Sequence, residues 1–172
     1  RSMCSNTTGA TNVAVGQQSL VKNTTASNNT AIGKSSMHDN TTGTVNVAVG
    51  RNSLNANTTG SYNTAVGKDA LLVNTTSSYN DAFGMGALCA NNGGKHNVAT
   101  GNVAMRLNTT GCRNTASGHY SMGKNTTGCL NVSVGYLALC ANTTGSNNIA
   151  IGNTAGAANT TGSNQTWIGN SS

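Results

Sequence analysis

Groups able to shuttle a proton or ligate a metal are few in this chain, and their spacing keeps them apart. The acids are Asp39, Asp69 and Asp81, and the histidines are His38, His96 and His119. Acid–base catalysis needs two such groups within reach of one reacting centre. Each of the six falls at a different place in the sequence period described below, and His38 and Asp39 face apart if their segment is extended. The expectation is a protein that is not an enzyme and takes no cofactor. The cysteines, Cys4, Cys89, Cys112, Cys129 and Cys140, include no Cys-x-x-Cys pair of the kind that holds zinc, so no metal is expected either.

The thiols allow a different chemistry. Cys112 and Cys129 lie one period of 17 residues apart, which in a stacked repeat sets their backbones about 4.8 Å apart, inside the range that a disulfide spans. Cys89 with Cys112 and Cys129 with Cys140 are rival pairings, available if the two cysteine positions flank one turn. The alternative is small thiols standing where other repeats have serine. Five is an odd number, so one thiol stays free or bonds to another chain. An oxidising, extracellular setting suits such a set better than the cytosol.

Sugar attachment is a further chemistry. Asn6, Asn23, Asn40, Asn57, Asn74, Asn108, Asn125, Asn142 and Asn159 each open an Asn-Thr-Thr acceptor sequence, and Asn28, Asn131, Asn164 and Asn170 open others. The competing reading is a turn, in which Asn tolerates a left-handed backbone, its amide stacks into a ladder and Gly ends the run. Asn91-Asn92-Gly93-Gly94 keeps the turn while losing the acceptor. The net charge of +6 includes Lys34, Arg51 and Lys68 at matching places in three successive units, a basic column able to meet anionic polysaccharide or to serve as a solvated edge. Nucleic acid is not expected, because the four Tyr, one Phe and one Trp supply no stacking platform.

What must position all these groups is one repeat. Units begin at Asn12, Asn29, Asn46, Asn63, Asn80, Asn97, Asn114, Asn131, Asn148 and Gln165, always 17 residues apart, and read N-x-A-V-G-x-x-A/S-L-x-x-N-T-T-G-x-x. Counting the opening residue as position 1, position 5 is Gly throughout. An insertion-free period of this kind is the mark of a solenoid, since one extra residue would turn a strand's faces inside out. Gly at position 5 and usually at 15, β-branched residues near position 4 and the Asn-Thr-Thr run oppose helix. The expected fold is all-β, a parallel β-solenoid (β-roll or β-helix) of ten 17-residue coils forming one array over residues 1–172, a rod about 48 Å long at a rise near 4.8 Å per coil. With 3% aromatic, 7% charged and 35% hydrophobic residues, stability has to come from repetition.

Small and large residues occupy separate columns. Positions 3 and 8 are almost always Ala or Ser. Position 4 carries Val15, Ile32, Val49, Val66, Phe83, Val134 and Ile151, and position 9 carries Leu20, Leu54, Leu71, Leu88 and Leu139. Two packings are open. Either positions 4 and 9 fill the coil and the rod is self-sufficient, or the small residues at 3, 5 and 8 line a thin interior and both aliphatic columns face outward toward partner chains. The second is preferred, because it explains why the small columns stay small. Asp81 and Ser117 interrupt an otherwise apolar face.

The run Asn12-Val13-Ala14-Val15-Gly16, with Ser19 three residues on, resembles the head repeat of trimeric autotransporter adhesins. The longer string through Asn-Thr-Thr-Gly is similar to arrays in phage and algal-virus fibres and in surface proteins of aquatic microbes. The resemblance implies a left-handed parallel β-roll, commonly trimeric, serving as a stalk or head for attachment. This chain departs from the adhesin pattern in its longer coils, the extra residues lying in the Asn-Thr-Thr-Gly turn.

With no leader-like run, no transmembrane run and an opening in mid-unit at Arg1, the chain reads as a segment of a longer fibre. Trp167 and Gly156, each atypical for its column, are expected to close one end. The functional expectation is a structural extracellular fibre or stalk for adhesion, on a cell or virion surface, built by self-association as a homotrimer or an end-to-end filament. Host-surface glycans are a candidate partner, and membrane insertion is not expected. The alternative is a glycan-binding module or a glycosylated filament subunit. Ice binding by stacked Thr is a remote third, since neighbouring Thr residues at positions 13 and 14 point in different directions.

Overall fold

The structure, a computed structural model describing residues 1–170, is an all-β solenoid with one short strand per coil. Strands β1 (Val13–Val15), β2 (Thr30–Ile32), β3 (Val47–Val49), β4 (Thr64–Val66) and β5 (Asp81–Phe83) are followed by β6 (Val98–Thr100), β7 (Thr115–Ser117), β8 (Val132–Val134), β9 (Ile149–Ile151) and β10 (Thr166–Ile168). They form one parallel sheet in sequence order, and every pairing joins equal repeat positions, as Ala31↔Ala48 and Ala48↔Ala65 do. The absence of insertions is what permits this constant register.

Neither expected packing holds as a whole. Strand alternation turns position 3 inward and positions 2 and 4 outward, so Ala31, Ala48, Ala65 and Ala82 are buried while Val15, Ile32, Phe83, Val134 and Ile151 are exposed. Val49 and Val66, in the same column, are half-buried. Position 4 therefore follows the second packing. Position 9 contradicts it: Leu20, Leu54, Leu71, Leu88 and Leu139, with Met37, Met105 and Met122, are wholly inside. The reason is backbone handedness. Positions 7, 9 and 17 all take positive φ, as in Asn52 (φ 55), Leu54 (φ 50) and Tyr62 (φ 58), and these left-handed residues break the two-residue alternation and swing the Leu column into the coil. Each non-Gly residue in that region costs about 1–2 kcal/mol. Burial of a Leu side chain, worth about 1.5–3 kcal/mol, offsets that cost, as does the bond from the Leu54 N–H to the Ala70 carbonyl at 2.9 Å.

Gly at position 5 does not line the interior. A Cβ on Gly50 would stand 2.7 Å from the carbonyl carbon of Gly67, and its φ of 132 lies where side chains are strained. The column is squeezed between successive backbones, not between backbone and core.

At the C-terminal end the two atypical residues belong together. Trp167 takes the place of the position-3 alanine and packs against the core, and its ring covers Gly156, where other coils have Leu or Met. A Cβ on Gly156 would lie 2.7 Å from that ring. Leu is tolerated at this φ elsewhere, since Leu139 has φ 48, so the ring is the obstacle. In chemical denaturation, Trp167→Ala is expected to cost about 2–4 kcal/mol through the cavity it leaves. Gly156→Leu should destabilise the parent but recover part of the loss in Trp167→Ala, a negative coupling visible in a double-mutant cycle.

Candidate functional site

The acceptor asparagines occupy the interior. Asn23, Asn40, Asn57, Asn74, Asn108, Asn125 and Asn142, at position 12, and Asn131, at position 1, are buried. Each Nδ2, the atom a sugar would need, is engaged. Asn57 Nδ2 donates to Asn40 Oδ1 at 2.8 Å and to the Gly60 carbonyl at 2.9 Å. Asn131 Nδ2 donates to Asn114 Oδ1 at 3.1 Å and to the Gly145 carbonyl at 2.9 Å. The glycan reading is corrected at these eight positions, because a folded coil has no room for a sugar on a buried, doubly bonded amide. Asn6 and Asn159 are half-buried, with Nδ2 bonded to Gly9 O at 2.9 Å and to Asn142 Oδ1 at 3.0 Å. Asn28 and Asn164, at the position-17 corner, are exposed. The third residue of the Asn170 acceptor, Ser172, lies outside the described residues.

The position-15 carbonyl joins the two asparagine columns. Gly43 O accepts from Asn29 Nδ2 at 2.9 Å and from Asn40 Nδ2 at 3.0 Å. The pattern recurs at Gly60, which accepts from Asn46 and Asn57. Threonine at position 13 is also committed, since Thr41 Oγ1 donates to Thr58 O at 3.0 Å and Thr58 Oγ1 to Thr75 O at 3.1 Å. Those hydroxyl protons are bound within the rod, whereas the position-14 threonines, Thr42 and Thr59 among them, are exposed.

The sulfur atoms of Cys112 and Cys129 are 2.8 Å apart as unbonded thiols. Both stand in a column otherwise rich in serine. Cys129 Sγ accepts the Cys112 N–H at 3.0 Å, just as Ser146 Oγ accepts the Cys129 N–H at 3.0 Å. Hydrogen bonding to Cys129, with burial and the neighbouring sulfur's charge adding to it, pushes the Cys112 thiol up. Of the rival partners, Cys140 directs its Sγ to Ala157 O at 3.8 Å, and burial raises the Cys89 thiol.

Lys34, Arg51 and Lys68 are exposed and in register, as the period implied, with Lys68 Nζ 3.4 Å from Asp69 Oδ2. His38 and Asp39 do not face apart. They sit in a turn, with Nδ1 and Oδ1 2.6 Å apart, and Lys22 Nζ reaches the same oxygen at 2.8 Å. Burial alone would raise the Asp39 carboxyl, but hydrogen bonds from Lys22 and His38 and their charges hold it below its ordinary value. Lys22 and Asp39 share position 11 one period apart, a signal available in the sequence.

The aromatic residues also stack, contrary to expectation. Tyr62 and Tyr79 are parallel with centroids 5.1 Å apart, and Tyr79 and His96 follow at 5.0 Å. All three occupy position 17, which could have revealed the ladder. Because their inner faces cover one another, the column turns ring edges outward and offers little face for bases to stack on. No helix among the described residues is long and apolar enough to cross a membrane, and no group of three or more metal-ligating side chains occurs among them. Compared with protein-family models, with curated proteins and with solved structures, the chain matches none of them.

Two outcomes follow for solution experiments. Asn57→Ala, which strands Asn40 Oδ1 and takes one of two acceptors from the Asn74 amide, is expected to cost about 2–4 kcal/mol, whereas Thr59→Ala, which also destroys the acceptor but touches only an exposed side chain, should stay within about 0.5 kcal/mol. Equal effects would overturn the structural role given to the amide. For Asp39 the folded carboxyl is lowered, so its contribution is present above the unfolded value near pH 4 and is lost as pH falls through the folded one. As the pair is largely solvated, Asp39→Asn should remove less than about 1 kcal/mol at pH 7 and flatten the acid limb of the stability curve.

Proposed function

We propose that this chain is a structural rod of an extracellular fibre, one that associates with copies of itself through the outward face of its sheet and serves attachment. The observation that carries the reading is that face. Positions 2 and 4 of ten strands in constant register present two parallel columns of mainly Val, Ile and Thr side chains, among them Val13, Val15, Ile32, Val47, Val98, Val132, Ile149 and Ile168, all exposed. Two such columns along the rod cover on the order of 500 Å², the upper range that a monomer exposes.

The interior supports the same reading. It is filled by Leu, Met, Ala and Asn in repeating layers, so whatever the rod does with other molecules it does with its outside. Asp81 on position 2 of β5 would sit within the contact, and the neighbouring Thr64 and the exposed Thr115 give the face polar partners along that column. Association as a homotrimer would join the apolar columns of three copies.

Sedimentation or light scattering on the purified chain at about 10 µM, near a Kd of modest strength, is expected to give a multiple of the 17.2 kDa chain mass. Ile32→Lys with Val134→Lys should return it to the single-chain mass with the β circular dichroism unchanged. A parent that is monomeric at every concentration examined would sink the proposal.

A further inference from the structure

We infer that Cys112 and Cys129 are a cross-linking site, closed by a small-molecule disulfide of the glutathione type into a covalent staple between two successive coils. Their Sγ atoms are 2.8 Å apart. Both belong to the position-16 column, where the N–H of one coil is accepted by the side chain of the next: Ala10 N–H by Ser27 Oγ at 3.0 Å, Ser61 N–H by Ser78 Oγ at 3.0 Å and Ser146 N–H by Ser163 Oγ at 2.9 Å. That hydrogen bond fixes the side-chain direction along the rod axis. Wherever the column carries Ser it therefore aims a hydroxyl toward the neighbouring backbone, and where two successive coils carry Cys the same geometry aims one sulfur at the other. Adjacent backbones held at the strand-pairing distance of about 4.8 Å fall inside the Cα separation that a disulfide needs. Both residues are half-exposed, so a small reagent can reach them.

One thiolate attacks a sulfur of the reagent R–S–S–R, expelling one R–S⁻ that leaves as R–SH. The second thiol, losing its proton, attacks the protein sulfur of the mixed disulfide and expels a second R–SH. Two protein thiols are oxidised to one disulfide, and one reagent disulfide is reduced to two thiols. Before reaction the two thiols are joined by a sulfur–sulfur hydrogen bond in which either can donate. The site selects one pairing from the three that sequence spacing left open, with Cys4, Cys89 and Cys140 outside it.

Serine substitution is a safe probe, because Ser27, Ser61, Ser78, Ser146 and Ser163 already occupy this column. The folded chain is treated with oxidised glutathione, the excess is removed, and thiols are counted under denaturing conditions by alkylation and intact mass. The parent is expected to form one internal disulfide, read as the loss of two of its five alkylation sites with no added mass, while any glutathione held by the exposed Cys4 shows as a separate mass increment. Cys112→Ser and Cys129→Ser should each form no internal disulfide, while Cys89→Ser and Cys140→Ser still lose two thiols. Amide hydrogen exchange should slow between residues 112 and 131 on oxidation, and the melting temperature should rise by on the order of 5–10 °C. An internal disulfide in Cys112→Ser, or none in the folded parent, would overturn the assignment.

Discussion

The asparagine amides close each coil, and the rest of the rod depends on them. A turn of this length leaves a carbonyl at position 15 pointing into the interior, where an unpaired acceptor is costly. Two amides from the same coil, at positions 1 and 12, donate to it, as Asn29 and Asn40 do to Gly43. Their own oxygens would then be stranded, and the next coil satisfies them: Asn46 N–H and Asn57 Nδ2 reach Asn29 and Asn40 respectively. No coil can complete this set alone. The same bonds that finish one turn attach it to its neighbour, so a chain with only 35% hydrophobic residues holds together through saturated polar layers alternating with Leu or Met and Ala.

That arrangement explains which parts of the molecule the sequence disclosed. The solenoid, its single array and its constant register were legible because period is a direct record of stacking. Inward Ala at position 3 and outward Val or Ile at position 4 followed from strand alternation. The Leu column did not, since nothing about Leu signals a left-handed backbone, and Leu54 is placed inside by φ angles at positions 7 and 9. The acceptor asparagines were ambiguous for a different reason. A motif states which atoms are present, whereas the availability of Asn57 Nδ2 depends on its two partners, Asn40 and Gly60. The aromatic ladder and the Lys22–Asp39 pair were encoded in repeat position all along.

Inside and outside obey different rules. Positions 1, 3, 5, 8, 9 and 12 are confined to one or two residue types over most coils, because each must fit the coils before and after it. Positions 6, 10, 11, 16 and 17 range from Lys to Tyr to Cys without disturbing the ladder. A surface specialised in one stretch, such as Tyr62 to His96 or Cys112 to Cys129, is thereby carried on a frame that does not need to change.

The ladders also have direction. At position 12 every amide donates toward the preceding coil, Asn23 to Asn6 and Asn40 to Asn23. At position 13 the backbone and hydroxyl donate the other way, Thr24 to Thr41 and Thr41 to Thr58. A cut through the stack at any height thus yields two unlike faces: one shows amide protons and threonine carbonyls, the other amide oxygens and threonine protons. Such faces complement each other column for column. The rod is polar in the sense that a cytoskeletal filament is polar, and an axial contact that keeps each column aligned from copy to copy runs head to tail.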